Sequence, residues 1–305
     1  MNKYPLVSIN ILSFNRSIAI KESLTKIFEQ NYTNIEVIVV DNASSDGTPS
    51  MIADLFPSIN LLSLDKNIGI DGYNKGMKII KGECILILDD DSYPDTDTIA
   101  YGVNYLLENP EIGALTFNIF NNALQKSETL TFKQTNPYLF HGCGTLFRKT
   151  TLDKVGGYDP DYFLYYNEID LAIRCYNNNI QIKYIPNKIV FHNSLIKTSN
   201  TYKDYHLHKI KYEQYFTGHL RFLIKHFNWN YVLLFGVKWI LNRFIVSIVY
   251  NYHKSFFKVL FQLPRVLGSS YQKRFPVNIS IQKYYSYGNQ PLIDHYFFPN
   301  YKFKK

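Results

Sequence analysis

A chain of 305 residues with 46% hydrophobic and 19% charged content can bury a large core, as one domain or two, and is not a disordered chain. Cys84, Cys143 and Cys175 are few, odd in number and far apart, which argues against a disulfide framework or a cysteine-built zinc site and fits a reducing cytoplasm. The net charge of +8 is unevenly placed: residues 1–200 hold 17 Lys and Arg against 22 Asp and Glu, residues 201–275 hold 12 against 2, and the last thirty hold 4 against 1.

The start, MNKYPLVSINILSFN, lacks the long apolar run and small-residue cleavage site of a signal peptide. Residues 6–13 (LVSINILS) read as a buried strand, and Phe14-Asn15-Arg16 turns into a helix over 17–30. Residues 35–40 (IEVIVV) read as a second strand, ending in the polar, glycine-containing loop Asp41-Asn42-Ala43-Ser44-Ser45-Asp46-Gly47-Thr48. A buried strand running into such a loop before a helix is the ligand-binding corner of a doubly wound sheet. Asp46 suits either a cap for the helix over 48–56 or a functional role, whereas Asp41 sits directly on the strand tip. A third strand, 59–64, precedes Asn67-Ile68-Gly69-Ile70-Asp71-Gly72, whose glycines allow close backbone approach to a ligand.

The helix after this loop, to residue 81, leads into CILILDDDSYP, residues 84–94. Four apolar residues in a row suit a strand buried on both faces of a parallel sheet. Three aspartates cannot follow them into a core, so they emerge at the carboxyl end, where open α/β sheets place ligands. Alternation puts Asp89 and Asp91 on one side of the strand and Asp90 on the other. Two carboxylates so spaced suit Mg²⁺ or Mn²⁺; a solvated acidic turn is the alternative. The βα units predict an α/β fold with a mainly parallel, Rossmann-like sheet flanked by helices.

Beyond Pro94 the pattern predicts a helix over 95–108, a strand over 113–120 and a polar loop or hairpin over 121–136. A strand over 141–148 and a short helix over 150–155 follow, the latter ended by Gly156-Gly157. The aromatic segment 158–166 leads into Asn167-Glu168-Ile169-Asp170, and strands over 180–185 and 188–191 precede His192.

SINILSFNR, EVIVVDNASSDGT, the Asn-x-Gly loop, ILILDDDSYP, GTLFRKTTLDKVGGYDPDYFLYYNEIDLAIR and VFHNS follow one another as in family 2 glycosyltransferases of the GT-A fold. The chain resembles most the bacterial rhamnosyl- and galactosyltransferase-like enzymes that build surface polysaccharides. The resemblance covers residues 6–194 and implies a catalytic domain over 1–200. It implies transfer of a sugar, with inversion, from a UDP- or dTDP-sugar to a glycan or lipid-linked acceptor. It also implies a divalent cation held by Asp91 and Asp89, with His192 completing the cation or diphosphate site. A lone histidine is more often a hydrogen-bonded structural residue, and the family context brings the two readings level. Ser13, Asn15, Asp41, Asn67 and Gly69, with Asp89 and Asp90, would line the nucleotide pocket. The loop is about one residue shorter than the common family form, so Asp71, Tyr73 and Asn74 receive no role.

Attack by an acceptor hydroxyl needs a carboxylate to take its proton. Where the family shows Glu-Asp, this chain has Asn167-Glu168, which places the base at Glu168 and loses the preceding acid. Asp170 is the rival, although its i,i+4 spacing to Arg174 suits a helical ion pair. Two other readings stand beside transfer. One is a nucleotidyltransferase, which would need a Gly-rich, basic phosphate loop near the first strand. The other is a degenerate nucleotide-sugar-binding protein, motivated by Asn167.

Residues 201–305 form a second, basic and aromatic-rich helical region, with helices over 202–226 and 229–262. Residues 229–249 are nearly long enough to span a bilayer, but Lys238 and Arg243 sit inside the stretch at a cost. An interfacial helix with both cations at lipid headgroups is therefore expected, on the inner face of a cell membrane. A lid or a homodimer surface is the alternative. No nucleic-acid motif accompanies the basic charge.

Overall fold

The computed structural model describes residues 4–129, 139–193 and 202–287. The chain forms two compact units, Met1–Asp204 and Tyr205–Lys305.

In the first unit, β1 (Val7–Ser13), β2 (Ile35–Asp41), β3 (Asn60–Ser63) and β4 (Cys84–Asp89) are parallel, with helices α1 (Ser17–Phe28), α2 (Thr48–Leu55) and α3 (Asp71–Met77) between them. Asp89 is followed by β5 (Ser92–Pro94), α4 (Thr98–Glu108), β6 (Ile112–Asn121) and the short β7 (Lys126–Ser127). Then come β8 (Thr145–Arg148), α5 (Lys149–Val155), α6 (Asn167–Asn177) and β9 (Gln181–His192). The sheet order is β3-β2-β1-β4-β8-β6-β9-β5, with β7 on β6. β8 runs antiparallel to β4 and β6, so the sheet is mixed but mainly parallel, flanked by helices on both faces.

Alternation along the strands divides the core. Cys84, Leu86 and Leu88 of β4 join Val7, Ile9 and Ile11 against Ile20, Leu24 and Ile27 of α1 and Val103 of α4. Ile85 and Ile87 face the other way, with Ile38 and Val40, against Tyr73, Leu171 and Ala172. Burial on both faces is why these strands read as unbroken apolar runs.

Three expectations are corrected. The segments over 180–185 and 188–191 are one strand, β9, which stays paired to β6 through a register shift opposite Phe117/Asn118. A bulge absorbs the extra residues and Pro186 without ending the ladder. The 141–148 strand shrinks to Thr145–Arg148, because Gly144 turns at φ +113°. β5 had no counterpart in the sequence reading; three residues form a strand there because they pair antiparallel with Val190–His192. The stretch over 121–136 makes a hairpin with β6 as far as it is described, and residues 130–136 lie outside the described residues.

The second unit contains α7 (Tyr202–His226), α8 (Trp229–Val249), α9 (His253–Gln272) and α10 (Ile279–Tyr287). The helix expected over 229–262 is two, because Asn251 adopts φ +57° and stops the first. Tyr212, Phe216, Leu220, Trp239, Val246, Phe256 and Val259 form its core. Arg243, expected at lipid headgroups, is fully buried there instead. Its guanidinium lies 4.3 Å from the Trp239 ring centre, and Tyr212 Oη donates to the Arg243 carbonyl at 2.8 Å. The cation is kept inside by an aromatic face.

Candidate active site

The tips of β1, β2 and β4 lie side by side, since Ser13 pairs with Asp41 and Leu12 with Asp89. Ser13 Oγ and Asp41 Oδ1 are both buried with no hydrogen-bond partner among the described residues, while Asp41 Oδ2 accepts from the Ser44 amide at 2.9 Å. Two adjacent unsatisfied groups at a strand tip are what a polar ligand edge would complete. Asn15, at φ +55°, is drawn to the neighbouring loop: its Oδ1 accepts from the Ser45 amide at 2.7 Å and its amide donates to Ser44 Oγ at 2.8 Å. Asp46 accepts from the amides of Ser17 and Thr48, a capping role at the starts of α1 and α2.

The Asn67–Gly69 loop is pinned to β2 by Asn42, which accepts from the Ile68 amide and donates to the Gly69 carbonyl, both at 3.0 Å. Gly69 has φ +62°, and a methyl group there would lie 2.2 Å from the Phe163 carbonyl oxygen. Only glycine permits both the left-handed turn and this approach. The aromatic segment thus borders the loop, with Ile70 N donating to Phe163 O at 3.0 Å. Tyr162 and Tyr166 are buried, whereas Phe163 and Tyr165 are partly exposed.

The three aspartates divide as expected, though not by strand alternation. β4 ends at Asp89, and Asp90 and Asp91 form a turn. Asp90 Oδ2 accepts from the Phe14 amide at 3.2 Å, beside the β1 corner; burial and the Asp91 charge push its carboxyl up to about 7. Asp91 has its Oδ1 3.3 Å from His192 Nε2 and its Oδ2 2.9 Å from Arg16 Nη1. Burial opposes its ionisation, but these cations hold its carboxyl below the ordinary range. Asp89 accepts from Tyr73 Oη at 2.7 Å; burial and the like charge of Asp91 raise it.

Ligand atoms of Asp89, His192 and Cys143 lie within 4.8 Å of one another. The Cys143 thiol is pushed well above its ordinary value by burial and the surrounding carboxylates, and a soft sulfur donor suits neither Mg²⁺ nor Mn²⁺. Asp89 and the His192 imidazole, with Asp91 3.3 Å from the same imidazole, offer oxygen and nitrogen donors that suit a hard divalent ion such as Mn²⁺ or Mg²⁺, which would also relieve the repulsion between the carboxylates. His192 Nδ1 is held by Glu128 Oε2 at 2.9 Å, which leaves Nε2 toward Asp91. Glu128 also accepts from Asn121 Nδ2 at 2.6 Å and lies 3.5 Å from His141 Nε2. Burial opposes the His192 charge, but Asp91 and Glu128 together push its imidazolium up to about 10.

Glu168 lies in the first turn of α6. Two tyrosines precede it with left-handed backbones, Tyr165 at φ +68° and Tyr166 at φ +61°. Consecutive aromatic residues in that region are strained, as backbones at functional sites often are. The Glu168 carboxylate lies over Gly142, where a methyl group would come within 2.7 Å of its Oε1. Burial, reinforced by the Asp89 charge, raises Glu168 to about 7. Asn167 beside it is buried, and a hydrogen bond from its side chain to the Glu168 carboxylate opposes that rise.

Asp170 lies two residues further along α6. It is fully buried, and its Oδ2 accepts from Arg174 Nε at 2.9 Å, as the i,i+4 spacing implied. Arg174 in turn donates to the carbonyls of Val155 and Gly157, locking α6 to the end of α5.

The structure thus brings together the aspartates, His192 and Glu168 that the sequence singled out, and adds Tyr73, Glu128, His141 and Arg16, to which it had given no role. Glu128 sits in a polar stretch with no periodicity, and only the β6–β7 hairpin brings it to His192. Arg16 was a detectable signal, as the first cation after the β1 corner. Asn193 continues the site, its amide donating to the Asp91 carbonyl at 2.7 Å; Ser194 of the same VFHNS segment lies outside the described residues.

Comparison with known proteins agrees with this architecture. The family model described as Glycosyl transferase family 2 matches residues 8–174, more than half of the chain. Among curated proteins, the poly-beta-1,6-N-acetyl-D-glucosamine synthase of Staphylococcus epidermidis is 26% identical over 201 residues, covering 59% of this chain and 48% of the relative. That of Staphylococcus aureus (strain COL) is 25% identical over 215 residues, covering 61% and 51%. The chain thus spans about half the length of the curated relatives it matches. A mannosyltransferase from Pyrobaculum calidifontis, solved in complex with GDP-Man and Mn²⁺, superposes with a TM-score of 0.56 at 20% identity, covering 95% of this chain and 78% of that one. S. aureus TarS 1–349 in complex with UDP-GlcNAc gives 0.53 at 18% identity, covering 88% and 92%. These likenesses show a shared GT-A fold.

Proposed function

The chain belongs to glycosyl transferase family 2, and from that premise we propose that it moves a sugar from a nucleotide-diphosphate donor to a hydroxyl of a glycan or lipid-linked acceptor, with inversion, in surface-polysaccharide synthesis on the inner face of a membrane. Family membership leaves the nucleotidyltransferase reading without support.

One observation carries the proposal. At the carboxyl edge of the sheet a carboxylate pair and an imidazole converge, and Glu168 lies near enough for Asp89 to raise it. Asp41 and Ser13 offer the nucleotide unsatisfied polar atoms, and the Asn67–Gly69 loop, held open by Asn42, edges the same pocket. Asp89, steadied by Tyr73, would hold a divalent cation together with Asp91 and His192. That ion, Mg²⁺ or Mn²⁺, would neutralise charge developing on the diphosphate as it leaves. Glu168, ionised, would take the proton of the attacking hydroxyl, and its raised affinity for a proton suits a base working near neutrality. Attack from the face opposite the leaving diphosphate inverts the anomeric centre. Asp170 takes no part in this scheme, since Arg174 occupies it.

A donor panel tests the proposal. UDP-GlcNAc, UDP-galactose, dTDP-rhamnose and GDP-mannose are each added with Mn²⁺, and thermal stabilisation is read against Mn²⁺ alone. At least one donor should raise the melting temperature only when Mn²⁺ is present. Binding without turnover in any donor–acceptor pair would favour the degenerate binding protein that Asn167 suggests.

A further inference from the structure

We propose that α8 and α9 present one continuous surface that lies flat in the interface of an anionic lipid bilayer. This deepens the membrane part of the proposed function and rests on it for the choice of surface. Vesicle binding needs neither donor nor acceptor, so failure of docking and failure of transfer are read separately.

Along α8 the exposed positions include Leu233, Leu234, Val237, Leu241, Phe244, Ile245 and Ile248, a stripe at helical spacing interrupted by one exposed cation, Lys238. The opposite face is used up: Phe235, Trp239, Arg243 and Val246 are buried inside the unit. α8 is long and apolar enough to cross a membrane by length and composition. A span, however, would carry the buried Arg243 and its packed side to mid-bilayer depth, where a charge is costly. A helix with one face in protein and one apolar face outward suits the plane of the interface instead.

α9 extends this face. Phe257, Phe261 and Tyr271 are exposed along one line, and Lys254 and Arg265 are exposed along the next, beside Lys258, whose Nζ pairs with Glu213 Oε2 at 2.6 Å. An apolar line flanked by a basic one is the pattern of an interfacial helix. Trp229, exposed at the start of α8, stacks on Tyr271 at 6.2 Å between ring centres and so joins the two stripes. Charge selects the occupant. Residues 214–287 contain no Asp or Glu, so a second copy of the same face would meet like charge, whereas anionic headgroups meet their complement.

The two tryptophans make the test specific, because Trp229 is half exposed and Trp239 is buried. The full-length chain is mixed with phosphatidylcholine vesicles with or without phosphatidylglycerol, and with brominated phosphatidylcholine as a quencher. The expected result is co-sedimentation with phosphatidylglycerol vesicles that weakens with salt. Bromine should quench Trp229, while Trp239, isolated in Trp229→Phe, stays bright. Leu241→Glu with Ile245→Glu should lower partitioning tenfold or more, on the order of the burial of two large aliphatic groups, with circular dichroism unchanged. Should that double variant misfold, Lys254→Glu with Arg265→Glu, at exposed positions, should still weaken binding to phosphatidylglycerol alone. Absence of binding at low salt would overturn the proposal. So would quenching of Trp239 by bromines deep in the acyl chains, which means a span, or self-association abolished by Leu241→Glu without vesicle binding, which means a dimer.

Discussion

The acid limb of the pH profile gives the sharpest prediction, because it follows from where Glu168 sits. Partly buried over Gly142 and subject to the Asp89 charge, its carboxyl is raised from an ordinary 4.5 to about 7. A general base works only when deprotonated, so kcat/KM should fall as pH drops through 7. At pH 6, one unit below, about a tenth of the enzyme carries the ionised base, and kcat/KM should sit about tenfold below its plateau. An ordinary carboxyl would be almost fully ionised at that pH, and the profile would be nearly flat. Asp90 is also raised to about 7, so the limb needs an owner. Glu168→Gln supplies the distinction: turnover should fall by about 10²–10⁴, and the residual rate should lose its acid limb. The assay is nucleotide-diphosphate release at fixed Mn²⁺ between pH 5 and 9. A limb that persists in Glu168→Gln, or one that lies below pH 5 in the wild type, would refute the assignment of the base.

Other outcomes follow from the same geometry. Asp91→Asn should abolish Mn²⁺-dependent donor binding in calorimetry while leaving the circular dichroism spectrum unchanged; normal turnover in that variant would mean the cation site is misplaced. Glu128→Gln should weaken Mn²⁺ binding by about 10–100-fold, the usual cost of losing a ligand's supporting hydrogen bond, since Glu128 orients His192 through Nδ1. Arg174→Ala should cost about 3 kcal/mol in denaturant unfolding, because it removes the ion pair of the fully buried Asp170 carboxylate and the donors to the Val155 and Gly157 carbonyls. Asp170→Asn should likewise show in stability before turnover, and a large loss of turnover at full stability would return the base role to Asp170. Gly69→Ala should impair donor binding, because the loop must retreat from Phe163.

What was legible in the sequence was what strands make obligatory. Parallel strands buried on both faces read as apolar runs, and charged residues at their ends had to lie at the carboxyl edge of the sheet, so Asp41 and the aspartate cluster were placed correctly. The division of Asp89 and Asp91 from Asp90 was right for an incomplete reason: a turn after Asp89 makes it, fixed by β5 pairing back onto β9. Long-range pairing was not legible. Nothing in the spacing of Glu128, His141 and His192 announces that a hairpin and the parallel β6–β9 pairing bring them together. Arg243 was misplaced for a related reason. A cation in an apolar helix reads as an interfacial residue until the aromatic face that receives it, Trp239 with Tyr212 from another helix, is known.

The central claim is an inverting, cation-dependent transfer, and the anomer released by slow donor hydrolysis tests it most directly. With Mg²⁺ and an α-linked donor such as UDP-GlcNAc, or whichever α-linked donor the panel selects, proton NMR should show the β-sugar appearing first, before mutarotation. The same spectrum from Asp91→Asn should show none. First appearance of the α-sugar, or hydrolysis at an undiminished rate in excess chelator, would contradict the account.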